Sequence, residues 1–178
     1  MSNKKYEFTN ETKAVKDVLG NFHTLHRIRA LKDFGDVNKG DLGGWLEKES
    51  NLSHEGNCWV YSNAMVYGNA MVYDNAMVYD SAEVLGDAQV FGGAQVFGDA
   101  RVFVSAQVYD NAQVYGGARV AGYAGVAPIY DYAWVSGKAR VYGHAQVADA
   151  QVYDDAQVQG NARVCDNSVV CGNTEVLG

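Results

Sequence analysis

Small and aliphatic side chains recur with a period of six along most of this chain. Residues 63–80 read NAMVYGNAMVYDNAMVYD, and each unit places Ala and Val two positions apart. Side chains alternate along a strand, so Ala and Val point to one side and their neighbours point to the other. An α-helix gains no stripe from this period, because six residues advance it by about 600°. The pattern therefore predicts short strands of the form x-Ala-x-Val-x, joined by corners.

The repeating valines cover about two thirds of the chain. They stand at positions 60, 66, 72, 78, 84, 90, 96, 102, 108, 114, 120 and 126, then at 135, 141 and 147, and finally at 152, 158, 164, 170 and 176. Pairs such as Gly68-Asn69 and Asp74-Asn75 close the units, and these residues tolerate left-handed backbone angles. Strands and corners of fixed length predict a solenoid in which three units form one triangular coil of 18 residues.

The unit resembles that of hexapeptide-repeat proteins, in which an aliphatic residue is followed four positions later by a small one, as Val66 is by Ala70. The resemblance implies an all-β fold, a left-handed parallel β-helix with 18 residues per coil and a small N-terminal β cap. Residues 1–57 lack the period and are predicted to be the capping segment, and residues 58–178 the solenoid. Two faults interrupt the rhythm, a three-residue insertion within 127–132 and a one-residue deletion at Ala148-Asp149.

Every third unit lies on the same face, which divides the outward residues among an Arg101 face, a Trp59 face and a Met71 face. With Val126 counted as a strand, Arg140 and Tyr142 fall on the Arg101 face, Trp134 on the Trp59 face and Gln146 on the Met71 face. Like charges in adjacent coils, about 5 Å apart, repel one another unless something anionic neutralises them. The Arg101 face is therefore a candidate site for a nucleotide or another small anion.

The predicted ligand-binding residues include the arginines of the Arg101 face, which could bind a phosphate. They also include two aromatic residues on either side of an alanine, whose rings could stack an aromatic base above the small side chain, and two tyrosines of the insertion. They are Arg101, Phe103, Arg119, Ala121, Arg140, Tyr142, Tyr130 and Tyr132. In the alternative interpretation, the arginines pair with acids of a neighbouring subunit or point into water. No catalytic residue, no metal ligand and no cofactor is predicted.

Aromatic side chains form rows on the other two faces. They are Tyr61, Tyr79, Phe97 and Tyr115 on the Trp59 face, and Tyr73, Phe91 and Tyr109 on the Met71 face. So much flat apolar surface favours burial between subunits. The hexapeptide-repeat resemblance implies a trimer, so these rows are the predicted oligomer face.

Composition and charge narrow the function classes. The net charge is −7, and residues 51–178 hold five basic against thirteen acidic side chains. Such a chain is a poor bulk binder of nucleic acid. No apolar stretch could serve as a signal peptide or span a bilayer. Three cysteines without metal-type spacing fit a reducing cytoplasm, including that of a bacterial host if the gene is viral.

The lead-in RIRALKDFGDVNKGDLGGWLEKESNLSHEGNCWVY resembles that of hexapeptide-repeat proteins carried by bacteriophages and prophages, described as polymer-forming-like or transferase-like. The resemblance implies a phage accessory protein. Our main interpretation is a non-enzymatic anti-defence protein that sequesters a small anion, such as a nucleotide second messenger, or blocks a host defence protein. A hexapeptide-type acyltransferase with His144 as its base, and a structural spike or virion component, are the alternatives.

Overall fold

The computed structural model describes residues 4–17, 20–122 and 133–178. Within these ranges the chain forms a parallel β-solenoid of about seven turns, without an α-helix. This confirms the β-helix predicted from the valine period. No helix able to span a bilayer occurs among the described residues.

Most strands are only two or three residues long, because each supplies one outward and one inward side chain before the next corner. In chain order they are β1 (Tyr6–Lys16), β2 (Phe22–Ala30), β3 (Leu42–Leu46), then after a 3-10 turn at Glu49–Asn51, β4 (Trp59–Val60), β5 (Met65–Val66), β6 (Met71–Val72), β7 (Met77–Val78), β8 (Glu83–Val84), β9 (Gln89–Val90), β10 (Gln95–Val96), β11 (Arg101–Phe103), β12 (Gln107–Val108), β13 (Gln113–Val114), β14 (Arg119–Ala121), β15 (Trp134–Val135), β16 (Arg140–Val141), β17 (Gln146–Ala148), β18 (Gln151–Val152), β19 (Gln157–Gln159), β20 (Arg163–Val164), β21 (Val169–Val170) and β22 (Glu175–Leu177).

Three parallel sheets form the faces. The Arg101 face runs β3-β5-β8-β11-β14-β17-β20, the Trp59 face β4-β7-β10-β13-β16-β19-β22, and the Met71 face β6-β9-β12-β15-β18-β21. Hydrogen bonds run from coil to coil, as from Met65 N to Ala82 O at 2.9 Å. Val66, Val84 and Val102 stack in register inside the Arg101 face and are fully buried. The inward valines and alanines thus form one continuous dry core.

The N-terminal strands extend the sheet of the Arg101 face. β1 pairs with β2 and β2 with β3, both antiparallel, and β3 pairs with β5 in parallel, so that Trp45 stands beside Met65. Gly44 is required for this docking, since a Cβ there would lie 2.5 Å from Ala64 O. The division at residues 57 and 58 stays a prediction.

The face assignments made from the sequence are wrong beyond Val120. Among the described strands, β14 is followed by β15, which joins the Met71 face by pairing Trp134 with Gln107. Val120 and Val135 are therefore neighbours in coil order, although fifteen positions separate them instead of six. Counting the sixfold spacing through Val126 assigns every later strand to the wrong face; Val126 itself lies outside the described residues. The insertion predicted at 127–132 lies outside the described residues.

The second fault does not disturb the faces. Val147 pairs with Val120 and Val152 with Val135, so the coil absorbs the missing residue at the corner between them. Asp149 in that corner takes a φ of 50°, in the left-handed region. A short corner can be accommodated because both flanking strands keep their place in the core.

Candidate functional site

Two arginines predicted as ligand-binding residues lie side by side on the Arg101 face. Arg101 and Arg119 occupy register positions on β11 and β14, in adjacent coils. Arg101 is neutralised from the preceding coil, where Glu83 Oε2 accepts hydrogen bonds from its Nη2 at 2.6 Å and its Nε at 3.0 Å. Arg119 is exposed, and within the described ranges no protein hydrogen bond or ion pair reaches its side chain.

The two arginines border a small cavity on the surface of the face. Its volume is about 140 Å³, and Leu85, Arg101, Phe103 and Arg119 line it. Phe103 stands in register with Ala121, and Ala121 in register with Ala148. Alanine methyl groups therefore follow the Phe103 ring in the next two coils, and no larger side chain follows it in register among the described strands. A binding role for this position stays a prediction.

The other half of the predicted site is not brought to this face. Arg140 and Tyr142 belong to the Trp59 face, where Arg140 pairs with Gln113 and the Tyr142 ring stacks on Tyr115 at 5.0 Å. This corrects the placement of both residues and follows from the face shift after Val120. The predicted two-ring sandwich around Ala121 is therefore not formed. Tyr130 and Tyr132 lie outside the described residues.

Arg140 instead borders a separate cavity of about 200 Å³ with Lys138, Asp155 and Gln157. The Tyr142 hydroxyl donates a hydrogen bond to Gln157 Oε1 at 3.2 Å. An acidic and an amide side chain therefore line this cavity together with the two cations. The cavity beside Arg119 differs, because neither an acid nor an amide is among its lining residues.

The sequence did not predict the part of the site that comes from the N-terminal hairpin, which consists of β1 and β2. Leu25 of β2 is fully buried in a second hydrophobic cluster on the outer side of the Arg101 face, with Trp45, Tyr67 and Leu85. The hairpin therefore covers the first coils of this face as well as its end. The sequence does contain one indication of this contact. Tyr67 and Leu85 point outward but are apolar, which favours their burial under another part of the chain.

The hairpin also contributes a cation near the arginines. The Lys13 Nζ lies 4.6 Å from the centroid of the Trp45 ring. Burial lowers the pKa of Lys13, the negative charge of Glu83 raises it in part, and Arg27 lowers it further. Glu83 thus interacts with the charge of Lys13 and pairs with Arg101, and Arg119 follows Arg101 in the next coil.

His23 is held between two carboxylates. Its Nδ1 lies 2.9 Å from Glu47 Oε1 and its Nε2 3.4 Å from Asp17 Oδ2. Burial disfavours the charged imidazole, but the hydrogen bonds and charges of Glu47 and Asp17 outweigh burial and raise the pKa of His23. Both ring nitrogens are engaged, so this histidine fastens the hairpin to the first coil.

The other histidines differ in access. His54 stacks on Tyr6 with ring centroids 4.4 Å apart, and burial lowers its pKa. His26 stacks on Phe8 at 5.1 Å. His144 is exposed at a corner and lies over Gly117, so solvent reaches its ring. No cluster of three or more potential metal ligands is found within the part of the chain that the structure describes.

The aromatic rows predicted as the oligomer face stack within the chain. Successive rings lie 4.7–5.0 Å apart and nearly parallel from Tyr79 through Phe97 to Tyr115, and from Tyr73 through Phe91 to Tyr109. Each ring is half-buried by its neighbours. Stacking explains part of the apolar surface, and a role for these rows in oligomers stays a prediction.

The fold and its repeat define a β-solenoid repeat protein. Residues 94–110 and 150–166 match the family model of the YdcK β-solenoid repeat. A protein of Escherichia coli (strain K12) named "Uncharacterized acetyltransferase YdcK" is 39% identical over 66 residues, which cover 33% of this chain and 19% of that protein. The matched region thus spans about one fifth of the relative's length.

Proposed function

We propose that this protein is a non-enzymatic binding protein that holds a small anion with a flat aromatic group, such as a nucleotide, on the Arg101 face. One observation carries the proposal. Arg119 is an exposed guanidinium without a protein partner among the described residues, in register with Arg101 beside a cavity that Phe103 lines. An arginine fork in this position matches the oxygens of a phosphate.

Electrostatics supports an anion at this position. The chain as a whole carries a net charge of −7, but two arginines follow Glu83 in the next two coils of this face, and the charge of Lys13 also acts on Glu83. Two guanidinium groups in coils roughly 4.8 Å apart repel one another unless they are neutralised. Glu83 neutralises Arg101, and a bound anion would do the same for Arg119.

The neighbouring ring supports a flat group on the ligand. Phe103 is followed in register by Ala121, so a base could lie against the ring without displacing a side chain. Stacking of a base on an aromatic side chain contributes about 1–3 kcal/mol. The rigid strands fix Phe103 and both arginines in advance, which lowers the entropy cost of binding.

Titration calorimetry tests this proposal with AMP and cyclic AMP as probes and inorganic phosphate as an anion without a ring. We expect saturable binding of the nucleotides, weaker binding of phosphate, and a loss of about tenfold or more in Arg119→Gln. Arg163→Gln is the matched control, because Arg163 is an exposed arginine two coils further along the same face. Flat titrations, or equal affinity in Arg119→Gln and wild type, would contradict the proposal.

Acyl transfer is the second candidate, favoured by the name of the E. coli relative. Exposed His144 is the histidine that an acyl acceptor could approach as a general base. An acetyl-transfer assay with a panel of amine and hydroxyl acceptors tests this candidate, and loss of turnover in His144→Ala with the fold intact would support it. The phage origin and the anti-defence role stay predictions. The test of anion binding at Arg119 does not depend on either of them.

A further inference from the structure

The row of stacked rings on the Trp59 face is interrupted at its first member. Tyr79, Phe97, Tyr115 and Tyr142 follow one another at 4.7–5.0 Å with interplanar angles of 2–5°. Tyr61, one coil before Tyr79, lies 6.2 Å from it with the two rings at 89°. The regular strand spacing would allow a parallel stack here as well, so something else turns the Tyr61 ring.

The N-terminal segment holds Tyr61 in its different orientation. The Tyr61 hydroxyl donates a hydrogen bond of 2.6 Å to Asp36 Oδ1. Asp36 lies between Phe34 and Val37, which pair with each other in an isolated bridge. This contact keeps the Tyr61 ring perpendicular to the stack and leaves space in the corner beside Tyr61 and Tyr79.

That space is a cavity of about 330 Å³, the size of a small-molecule site. Two perpendicular tyrosine rings and a thioether form its apolar part, and two aspartates stand at its polar part. The lining residues are Asp36, Tyr61, Ser62, Met77, Tyr79 and Asp80. Among these residues there are two carboxylates and no cationic side chain.

This combination selects for an organic cation. The face of an aromatic ring attracts a positive charge, and two rings at right angles can enclose it from two sides. A carboxylate nearby adds Coulomb attraction to a cation. A quaternary ammonium carries no N–H donors, so it can contact the two rings and the thioether on several sides without leaving a donor unpaired there.

We propose that the cavity lined by Tyr61 and Tyr79 is a binding site for a small molecule with a quaternary ammonium group. The rings and Met77 contact the alkyl groups, and Asp36 and Asp80 balance the charge. The site is separate from the anion site, because it lies on the Trp59 face at the junction with the N-terminal segment.

Titration by nuclear magnetic resonance tests the site with choline as the probe and 3,3-dimethylbutan-1-ol as a neutral molecule of the same shape. We expect saturable shifts of Tyr61, Tyr79 and Met77 with choline, and binding at least about tenfold weaker for the alcohol, because only the cation gains from rings and carboxylates. No saturation by roughly 50 mM choline, or equal binding of both molecules, would overturn the proposal.

Two variants and a control locate the site. Tyr61→Leu removes one ring, and Asp36→Asn removes an exposed charge without a change of shape. Each should weaken choline binding about fivefold or more. Tyr73→Leu, which shortens the stacked row on the Met71 face at its first ring, should leave binding unchanged. Asp36 is exposed, so we expect Asp36→Asn to fold as the wild type does. Wild-type choline affinity in this variant would overturn the proposal even if Tyr61→Leu failed to fold.

Discussion

Arg119 lies beside Arg101 on the neighbouring strand of the same sheet, and of the two only Arg101 has an acidic partner within the described residues. The pairing of Glu83 with Arg101 follows from the same coil-to-coil register. A row of acid, base, base in three successive coils therefore ends in one uncompensated charge. That charge is the physical basis of the proposed anion site.

Removing the acid of this row should weaken the fold and strengthen anion binding together. In Glu83→Gln, Arg101 loses its partner and stands as a second free cation beside Arg119. We expect the free energy of unfolding to fall by about 1 kcal/mol, since the pair is only partly buried. Urea denaturation measures the loss, and calorimetry with AMP should show tighter binding. The control is Glu175→Gln at an exposed position on the Trp59 face; weaker AMP binding in Glu83→Gln would contradict the account.

The inward valines should be far more sensitive than the residues beside them. Val102 is fully buried between Val84 and Val120, whereas Gln107 points outward. Val102→Ala opens space in a narrow core that cannot collapse, and we expect a loss of about 2 kcal/mol in the free energy of unfolding. Gln107→Ala should change it by less than about 0.5 kcal/mol. Similar losses in the two variants would mean that the valines are not the core.

The docking of the N-terminal segment should fail when Gly44 gains a side chain. A Cβ at this position would lie 2.5 Å from the backbone oxygen of Ala64, which belongs to the solenoid and has little freedom to move. We expect Gly44→Ala to cost about 3 kcal/mol or more, or to release the hairpin. Hydrogen exchange of β2 reports the release. Leu42→Ala, at an exposed position of the same strand, should keep wild-type protection.

His23 should make the attachment of the hairpin depend on pH. Its pKa is raised in the folded protein, so its contribution to stability is complete below the unfolded value of about 6.5 and is lost as the pH rises through the folded value. The urea midpoint of the wild type should therefore fall relative to that of His23→Gln as the pH rises above about 6.5. His144→Gln, an exposed histidine variant, should follow the wild type. A wild-type urea midpoint that rises relative to that of His23→Gln as the pH increases would contradict this prediction.

The sequence was sufficient to predict the core and the three faces as far as Val120, because nothing but a strand with a buried side repeats Ala and Val at this spacing. The prediction is wrong beyond Val120, since counting intervals of six through Val126 assigns β15 to the Trp59 face, whereas β15 lies on the Met71 face. Periodicity alone does not show how many positions of the chain separate two successive strands of the coil. Arg140 and Tyr142 were placed on the wrong face for this reason.

The contribution of the hairpin could not be predicted because it depends on where β2 lands. Leu25 and Leu85 belong to one hydrophobic cluster although sixty positions of sequence separate them, and no local pattern relates the two residues. The pairing of Glu83 with Arg101 could have been found, because the residues stand eighteen positions apart, which is one full coil. The position of Lys13 near Glu83 could not be predicted from the sequence, because it depends on where the hairpin lies on the solenoid.

The most direct test compares Arg119→Gln with Arg140→Gln in calorimetric titrations with AMP. The two residues were equivalent in the sequence pattern, but the structure places them on different faces. We predict that Arg119→Gln loses about tenfold or more in affinity and that Arg140→Gln binds as the wild type does. Loss of binding in Arg140→Gln with full binding in Arg119→Gln would contradict both the face assignment and the proposed site.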